Sequence, residues 1–143
     1  MISGCPFALP NWKLHHLIEA SGAIVVGEES CVGKRYYYKL VDENFNSIKE
    51  GLVKIAERYL TTHCACFTPN DERIEDIKQM FEAQKADGVI HYSLQFCTPY
   101  MFESYKVERK LDMPYLRIET DYSMEDIGQL KTRIEAFIET LKM

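Results

Sequence analysis

The sequence predicts one three-layer α/β domain, with helices on both faces of a four-stranded parallel sheet. The first observation is that strand-like and helix-like segments alternate along the chain, the pattern of parallel sheets with crossover helices. The second is size and composition: the 143 residues are 46% hydrophobic and 27% charged, enough for the core of one ordinary domain over 1–143. The third is a strongly amphipathic final helix, whose apolar face comprises Ile127, Leu130, Ile134, Phe137, Ile138 and Leu141.

The first two strands are predicted on either side of a short helix. Met1 to Gly4 has the character of a strand end, and we expect a further segment upstream of it. Asn11 is placed to cap a helix that ends at Ser21-Gly22. Ala23 to Gly27 is an apolar run typical of a buried strand.

Two helices are predicted in the middle of the chain. Lys34 to Val41 is interpreted as loop, and Phe45 to Leu60 as a helix with Asn44 or Asn46 as its cap. Its apolar stripe would consist of Ile48, Leu52, Ile55 and Tyr59. A second helix is predicted from Thr68-Pro69, where Asp71 would complete a capping box.

The last third completes the sheet. Gly88 to Leu94 and Met113 to Glu119 are predicted strands. Between them, Thr98 is predicted to cap a helix that starts at Pro99, and Ser123 to cap the final helix. The predicted strand order is 2-1-3-4, which is the flavodoxin-like arrangement. Ligands of such folds bind at the carboxyl ends of the strands, where the order reverses.

Three cysteines follow predicted strands and should meet at that edge. Cys5 follows the first strand, Cys31 the second and Cys97 the third. Cys97 also precedes a helix start, where the helix dipole favours a thiolate. Three thiolates suit a soft metal, either an iron-sulfur cluster or zinc. The alternative is that these cysteines are inert buried side chains.

Two more cysteines, Cys64 and Cys66, lie before the predicted helix at Thr68-Pro69. Their one-residue gap is shorter than the spacing of structural zinc sites, although His63 could add a nitrogen ligand. Cys66 could join the same cluster if its loop folds over the sheet edge. The odd total of five cysteines argues against a disulfide framework.

Some titratable residues are weaker catalytic candidates. His91 lies on a strand face that becomes polar toward Cys97, and we interpret it first as a structural residue and second as a catalytic one. Glu119 and Asp121 end the fourth strand at the same edge. Glu28, beside Glu29 and before Cys31, has a similar position.

Charge and hydropathy exclude some classes of partner. The net charge is -5, which argues against nucleic acid and anionic membranes as partners. No apolar run approaches the ~20 residues that cross a bilayer, and the first residues lack a signal peptide. We therefore expect a cytoplasmic protein.

Several motifs together resemble a known superfamily: the 2-hydroxyacyl-CoA dehydratases, benzoyl-CoA reductases and double-cubane cluster reductases. The resemblance spans essentially the whole chain and matches the C-terminal domain of longer proteins. The runs that carry it are Ile2-Ser3-Gly4-Cys5-Pro6, Pro10-Asn11-Trp12-Lys13-Leu14, Glu28 to Arg35, Cys64 to Asn70, Leu94-Gln95-Phe96-Cys97, Glu119 to Ser123 and Gly128 to Arg133.

The resemblance implies low-potential electron chemistry at an iron-sulfur cluster, either a 4Fe-4S cluster or a double cubane. Cys97 matches the ligand that this domain supplies, and Cys5, Cys31, Cys64 or Cys66 could serve a double cubane. An ATP-hydrolysing activator protein would deliver single electrons, and the dehydratases use them to form a ketyl radical from an acyl-CoA substrate.

An upstream domain or a second dehydratase subunit would complete the site, so we do not expect the isolated chain to be active. Two hypotheses follow from the sequence. The first is an iron-sulfur-binding domain of an ATP-activator-dependent reductase or (R)-2-hydroxyacyl-CoA dehydratase. The second is a metal-free flavodoxin-like module for subunit interaction or scaffolding.

Overall fold

The computed structural model describes residues 1–5, 11–30, 37, 39–67 and 69–143. The strands are β1 (Ile2–Gly4), β2 (Glu28–Glu29), β3 (Val89–Leu94) and β4 (Tyr115–Thr120). The helices are α1 (Lys13–Ala20), α2 (Ile48–Leu60), α3 (Asp71–Ala83), α4 (Thr98–Lys110) and α5 (Ile127–Leu141). Among the described helices, none combines the length and the apolar character needed to span a bilayer.

All four strands are parallel and lie in the order β2-β1-β3-β4, which confirms the predicted flavodoxin-like topology. The central pair is β1 and β3, joined in register at Ser3 and His91. Helices α1 and α5 pack on one face of the sheet and α4 on the other. The order therefore reverses between β1 and β3, and the loops that follow these two strands flank that point.

The two faces of the sheet bury different side chains. Ile2, Ile90 and Ile118 alternate toward the main apolar core, which α1 and α5 complete. The opposite face begins with apolar Val89 but then turns polar at His91 and Ser93, all of them buried. The polar face predicted near Cys97 is thus a buried face, covered by α3 and α4.

Strand β2 is shorter than predicted and begins later in the chain. We expected it over Ala23 to Gly27, but the strand comprises Glu28 and Glu29, which pair with Ile2 and Ser3. Strand β1 begins at Ile2, whose amide donates to the Gly27 carbonyl, so the residues before Gly27 have no neighbouring strand among the described residues. The apolar run instead follows α1 and leaves Ile24 mostly exposed.

Helix starts differ from the predicted caps because the capping side chains bond elsewhere. Helix α5 begins at Ile127 and not after Ser123; its N-cap is Asp126, whose carboxylate accepts from Lys13 and Thr120. Helix α4 includes Thr98, and Cys97 is its N-cap. Ser47 caps α2 in place of either predicted asparagine, accepting from the Glu50 amide.

Helix α3 begins at Asp71 after Asn70, later than the predicted start at Thr68-Pro69. The predicted capping box involves Thr68, which lies outside the described residues. The Asp71 carboxylate accepts from Lys106 and Lys110 of α4, at 2.8 and 2.7 Å. These bonds lower the pKa of Asp71 to about 2.

Helix α2 forms as predicted, but its apolar stripe faces outward. Ile48, Leu52 and Tyr59 are 84%, 61% and 59% exposed. Only Gly51 and Arg58 of this helix are buried: Gly51 lies against Phe45, and Arg58 donates to the Lys39 carbonyl. The stripe is an apolar surface that the described residues do not cover.

Candidate functional site at the carboxyl edge of the sheet

Cys5 leaves the carboxyl end of β1 and is tied to the neighbouring strand. Its amide donates to the Tyr92 carbonyl of β3 at 2.8 Å, and its side chain is 4% exposed within the main core. Gly4 makes this approach possible, because its φ is +121° and an added Cβ would lie 2.1 Å from the Tyr92 oxygen. The glycine therefore fixes where Cys5 emerges.

Cys97 lies where β3 ends and α4 begins. Its amide donates to the Leu94 carbonyl at 2.8 Å and its carbonyl accepts from the Met101 amide. The side chain is half-buried and packs against the same core that contains Cys5. Strands β1 and β3 are neighbours, so Cys5 and Cys97 follow adjacent strand ends.

Phe96, directly before Cys97, has an unusual backbone conformation. Its φ is +69°, in the left-handed region that side chains other than glycine rarely adopt, and its ring is 86% exposed. Strain of this kind persists only where the surrounding structure enforces it and is frequent at functional sites.

The loop with Cys64 and Cys66 lies against the first turn of α4. The Cys64 sulfur is 4.0 Å from the hydroxyl of Tyr100, three residues after Cys97. Exposed Cys66 lines a cleft of about 460 Å³ together with Thr98 and Pro99. The structure thus places this loop beside the helix that Cys97 caps.

The structure describes only part of the predicted set of cysteine ligands. Cys31 lies outside the described residues, and within the described ranges no three His, Cys, Asp or Glu side chains are grouped to hold a metal ion. The donor chemistry suits an iron-sulfur cluster, since thiolate sulfur is its usual ligand and the four described cysteines lie at or beside the carboxyl edge.

Beneath these loops lies a buried ionic cluster that the sequence does not reveal. We define it as Arg73 with Glu29, Glu103, Ser3 and Asn70. The guanidinium of Arg73 is 0% exposed; it bonds both oxygens of Glu29, at 2.8 and 3.2 Å, and one oxygen of Glu103. Burial opposes its charge, but Glu29 and Glu103 raise the pKa of Arg73 overall.

His91 is fully buried next to this cluster. Its ring lies 5.8 Å from that of Tyr115 and 6.4 Å from that of Tyr100. Burial, with a further contribution from Arg73, lowers the pKa of His91 to about 3. The imidazole is therefore neutral at physiological pH.

The carboxylate candidates lie apart from one another. Glu28 of β2 pairs with His15 of α1, and Glu119 is exposed on β4. Asp121 accepts from the Ser123 amide and hydroxyl, which lower its pKa. A catalytic role for any of them stays a prediction.

Lys13 is the second buried charge that the sequence analysis missed. It is 6% exposed and donates to Thr120, Asp126 and the carbonyls of Asp121 and Ser123, at 2.7 to 2.8 Å. It thereby joins the start of α1 to the loop after β4. The only sequence signal was that both segments belong to the motifs of the resemblance.

Comparison with known proteins agrees with this resemblance. Residues 1–141 match the family model described as "2-hydroxyglutaryl-CoA dehydratase, D-component". The chain is 40% identical, over 99% of its length, to the protein named "Putative dehydratase subunit YjiM" of Escherichia coli (strain K12). It is 28% identical, over 87% of its length, to the "(R)-phenyllactyl-CoA dehydratase beta subunit" of Clostridium sporogenes.

A third relative is "(R)-2-hydroxyglutaryl-CoA dehydratase, subunit beta" of Acidaminococcus fermentans, 33% identical over 48% of this chain. The chain spans 37%, 33% and 19% of the lengths of these three relatives. The family match covers nearly all of the chain, and the resemblance drawn from its motifs is confirmed. The chain belongs to the 2-hydroxyglutaryl-CoA dehydratase D-component family, within the 2-hydroxyacyl-CoA dehydratase superfamily.

Proposed function

We propose that the chain is an iron-sulfur-cluster-binding domain of a low-potential (R)-2-hydroxyacyl-CoA dehydratase or related reductase. The observation that supports this most directly is the position of Cys97, at the end of β3 and the N-cap of α4, with Cys5 at the end of the adjacent strand. Cys97 is the ligand for which the proposal is strongest, followed by Cys31 and Cys5. Cys64 and Cys66 are further candidates because their loop lies against the same helix.

Each part of the site has a physical task. A bound cluster, a 4Fe-4S cluster or a double cubane, would supply single electrons at low potential. The chain holds the cysteine loops in place, through Gly4 at Cys5 and through the first turn of α4 at Cys97. The partly apolar surroundings of Cys97 limit the access of water, which favours low-potential chemistry.

The proposal includes partners, because this chain spans little more than a third of its relatives. An upstream domain or a second dehydratase subunit would cover the exposed stripe of α2 and supply further residues of the site. An ATP-hydrolysing activator protein would deliver the electron, and an acyl-CoA or another small molecule would be the substrate. We place these steps in the cytoplasm.

Anaerobic reconstitution tests the cluster directly. The protein, purified without oxygen together with the polypeptides that accompany it, is supplied with iron and sulfide. We expect broad visible absorption that bleaches on reduction, and an EPR signal from the reduced state. Protein that stays colourless and retains no iron after desalting would contradict the proposal.

The second candidate function is a metal-free module for subunit interaction. It is favoured by the outward-facing apolar stripe of α2. Under this alternative the protein binds a companion subunit equally well with and without iron. Cluster-dependent spectra from this chain would exclude it.

A further inference from the structure

The buried ionic cluster joins residues from four separate segments through one side chain. Arg73, in the first turn of α3, bonds Glu29 of β2, Glu103 of α4 and the Ser3 hydroxyl of β1. The Ser3 hydroxyl in turn donates to Glu29 at 2.6 Å. Asn70 donates to Glu103 at 2.7 Å, so the start of α3 is connected to α4 a second time.

Each of these segments leads to a cysteine. Ser3 is two residues before Cys5, and Glu29 is two residues before Cys31. The side-chain amide of Asn70 also donates to the Cys64 carbonyl, at 2.9 Å. Glu103 lies on the helix that Cys97 caps, about 9 Å along its axis from that cysteine. A single guanidinium therefore connects, through its partners, the described segments that carry Cys5, Cys64 and Cys97.

The side chains of the buried ionic cluster are charged and have little contact with solvent. Both oxygens of Glu29 accept from Arg73, and those of Glu103 accept from Arg73 and Asn70, which is the pattern of ionised carboxylates. Glu29 and Arg73 are 0% exposed and Glu103 9%. Charges in such an interior are weakly screened and act on other charges over longer distances than at the surface.

We propose that Arg73 is a positioning residue that sets the mutual placement of Cys5, Cys64 and Cys97. We further propose that the charges of the buried ionic cluster tune the reduction potential of the iron-sulfur centre that these cysteines would hold. This inference rests on the proposed function. The planar fork of Arg73 is the feature required for placement, because it bonds two carboxylates at once in fixed directions. Glu103 contributes negative charge, which disfavours the addition of an electron nearby.

Two substitutions separate placement from charge, in protein reconstituted anaerobically with iron and sulfide. Arg73→Lys keeps the charge and removes the fork; we expect less bound iron and a broadened EPR spectrum, with the midpoint potential of the loaded fraction unchanged. Glu103→Gln removes one negative charge and one of the two acceptor oxygens; we expect the fraction that binds iron to have a less negative midpoint potential. The matched controls, Arg109→Lys and Glu75→Gln, change exposed side chains of α4 and α3 and should leave both readouts unchanged.

A third variant tests the placement independently, in case Arg73→Lys does not fold. Asn70→Ser keeps Arg73, Glu29 and Glu103 but removes the bonds from Asn70 to the Cys64 carbonyl and to Glu103, so it should also lower the iron content. Folded Arg73→Lys and Asn70→Ser proteins with wild-type iron content and EPR spectra would overturn the positioning role. A midpoint potential that Glu103→Gln does not move would overturn the electrostatic role.

Failure of the proposed function itself is visible before any variant is compared. If the wild-type protein binds no iron, the iron-sulfur assignment is wrong, and the role of Arg73 toward that centre falls with it. If the wild-type protein binds iron and the variants behave as the wild type does, only the present inference is wrong.

Discussion

At the scale of single residues, Phe96 stores strain directly before Cys97. A left-handed conformation costs a side chain other than glycine about 1–2 kcal/mol, and the exposed ring recovers little of it by packing. We expect Phe96→Gly to raise the free energy of unfolding by about 0.5–1 kcal/mol, after the larger unfolded-state entropy of glycine is subtracted. Denaturant unfolding measures this change.

The matched control is Phe96→Ala, which removes the ring and keeps the left-handed strain. It should therefore be less stable than Phe96→Gly. A Phe96→Gly protein that is less stable than Phe96→Ala would show that the backbone is not strained, because the unfolded-state entropy of glycine would then be the main difference between the two variants.

His91 should make stability depend on pH. Its pKa is about 3 in the folded protein, far below the ordinary value of 6.5, so the unfolded chain binds a proton that the folded chain does not. Above pH 6.5 His91 is neutral in both the folded and the unfolded chain. Between pH 6.5 and about 3, the free energy of unfolding should fall by about 1.4 kcal/mol for each pH unit of acidification.

The variant His91→Leu should lose this dependence. Chemical unfolding across that pH range, compared with the wild type, measures it. At neutral pH the variant should be at least as stable, because an apolar side chain replaces a fully buried polar ring. A wild-type acid slope that persists in His91→Leu would contradict the assignment.

At the scale of elements, Lys13 and Asp126 connect α1 to the loop between β4 and α5. Burial raises the pKa of Asp126, but the bonds from Lys13 and Thr120 outweigh it, so the pKa lies below 3.8. Because the folded pKa is below the unfolded one, the stabilisation is present above pH 3.8 and is lost as the pH falls through the folded value.

We expect Asp126→Asn to cost about 1 kcal/mol at neutral pH, a modest value because a quarter of the side chain reaches solvent. Thermal unfolding of both proteins measures the difference, which should vanish in strong acid. Glu125→Gln, on the exposed side of the same loop, is the control. A difference that does not shrink on acidification would rule out the Lys13–Asp126 ion pair as its source.

Helix α2 presents the apolar stripe that we assign to a companion domain or subunit. Replacing Leu52 and Ile55 by glutamine together should leave the fold intact, since these side chains are 61% and 44% exposed. The double variant should bind less hydrophobic dye and associate less in light scattering. Lys49→Gln, an exposed substitution on the same helix, is the control; a wild-type protein that is monomeric and binds no dye would contradict the assignment.

Helices and strands with a clear hydrophobic period could be predicted from the sequence. The tertiary contacts that these elements make could not. The strand order and the position of Cys97 between β3 and α4 followed from local patterns in the sequence. Strand β2 was misplaced because an apolar run cannot show whether a partner strand lies beside it. The caps at Asn70 and Asp126 were missed because their side chains bond residues far away in the sequence.

The candidate site shows the same limit. Arg73 follows two acidic residues in the first turn of a helix, a context typical of exposed side chains. Only its partners, 44 and 30 residues away along the chain, make it a buried ion. Long-range pairing of charges has no period in the sequence, so no local pattern could have revealed it.

At the scale of the whole molecule, the described residues form one four-stranded α/β fold, in which Cys5 and Cys97 follow neighbouring strands at the carboxyl edge of the sheet. The family assignment rests on nearly the entire chain, whereas the relatives are about three times as long. The domain is therefore expected to hold a cluster as part of a larger assembly. The central prediction for this domain is that Cys97 binds iron.

The most direct test is the iron content of Cys97→Ser protein, purified anaerobically with its accompanying polypeptides and measured against the wild type. We expect a large loss of iron and of the EPR signal, with circular dichroism and thermal unfolding unchanged. Thr98→Ser, at the first position of the same helix, should keep both iron and signal. Wild-type iron content in correctly folded Cys97→Ser protein would contradict the account.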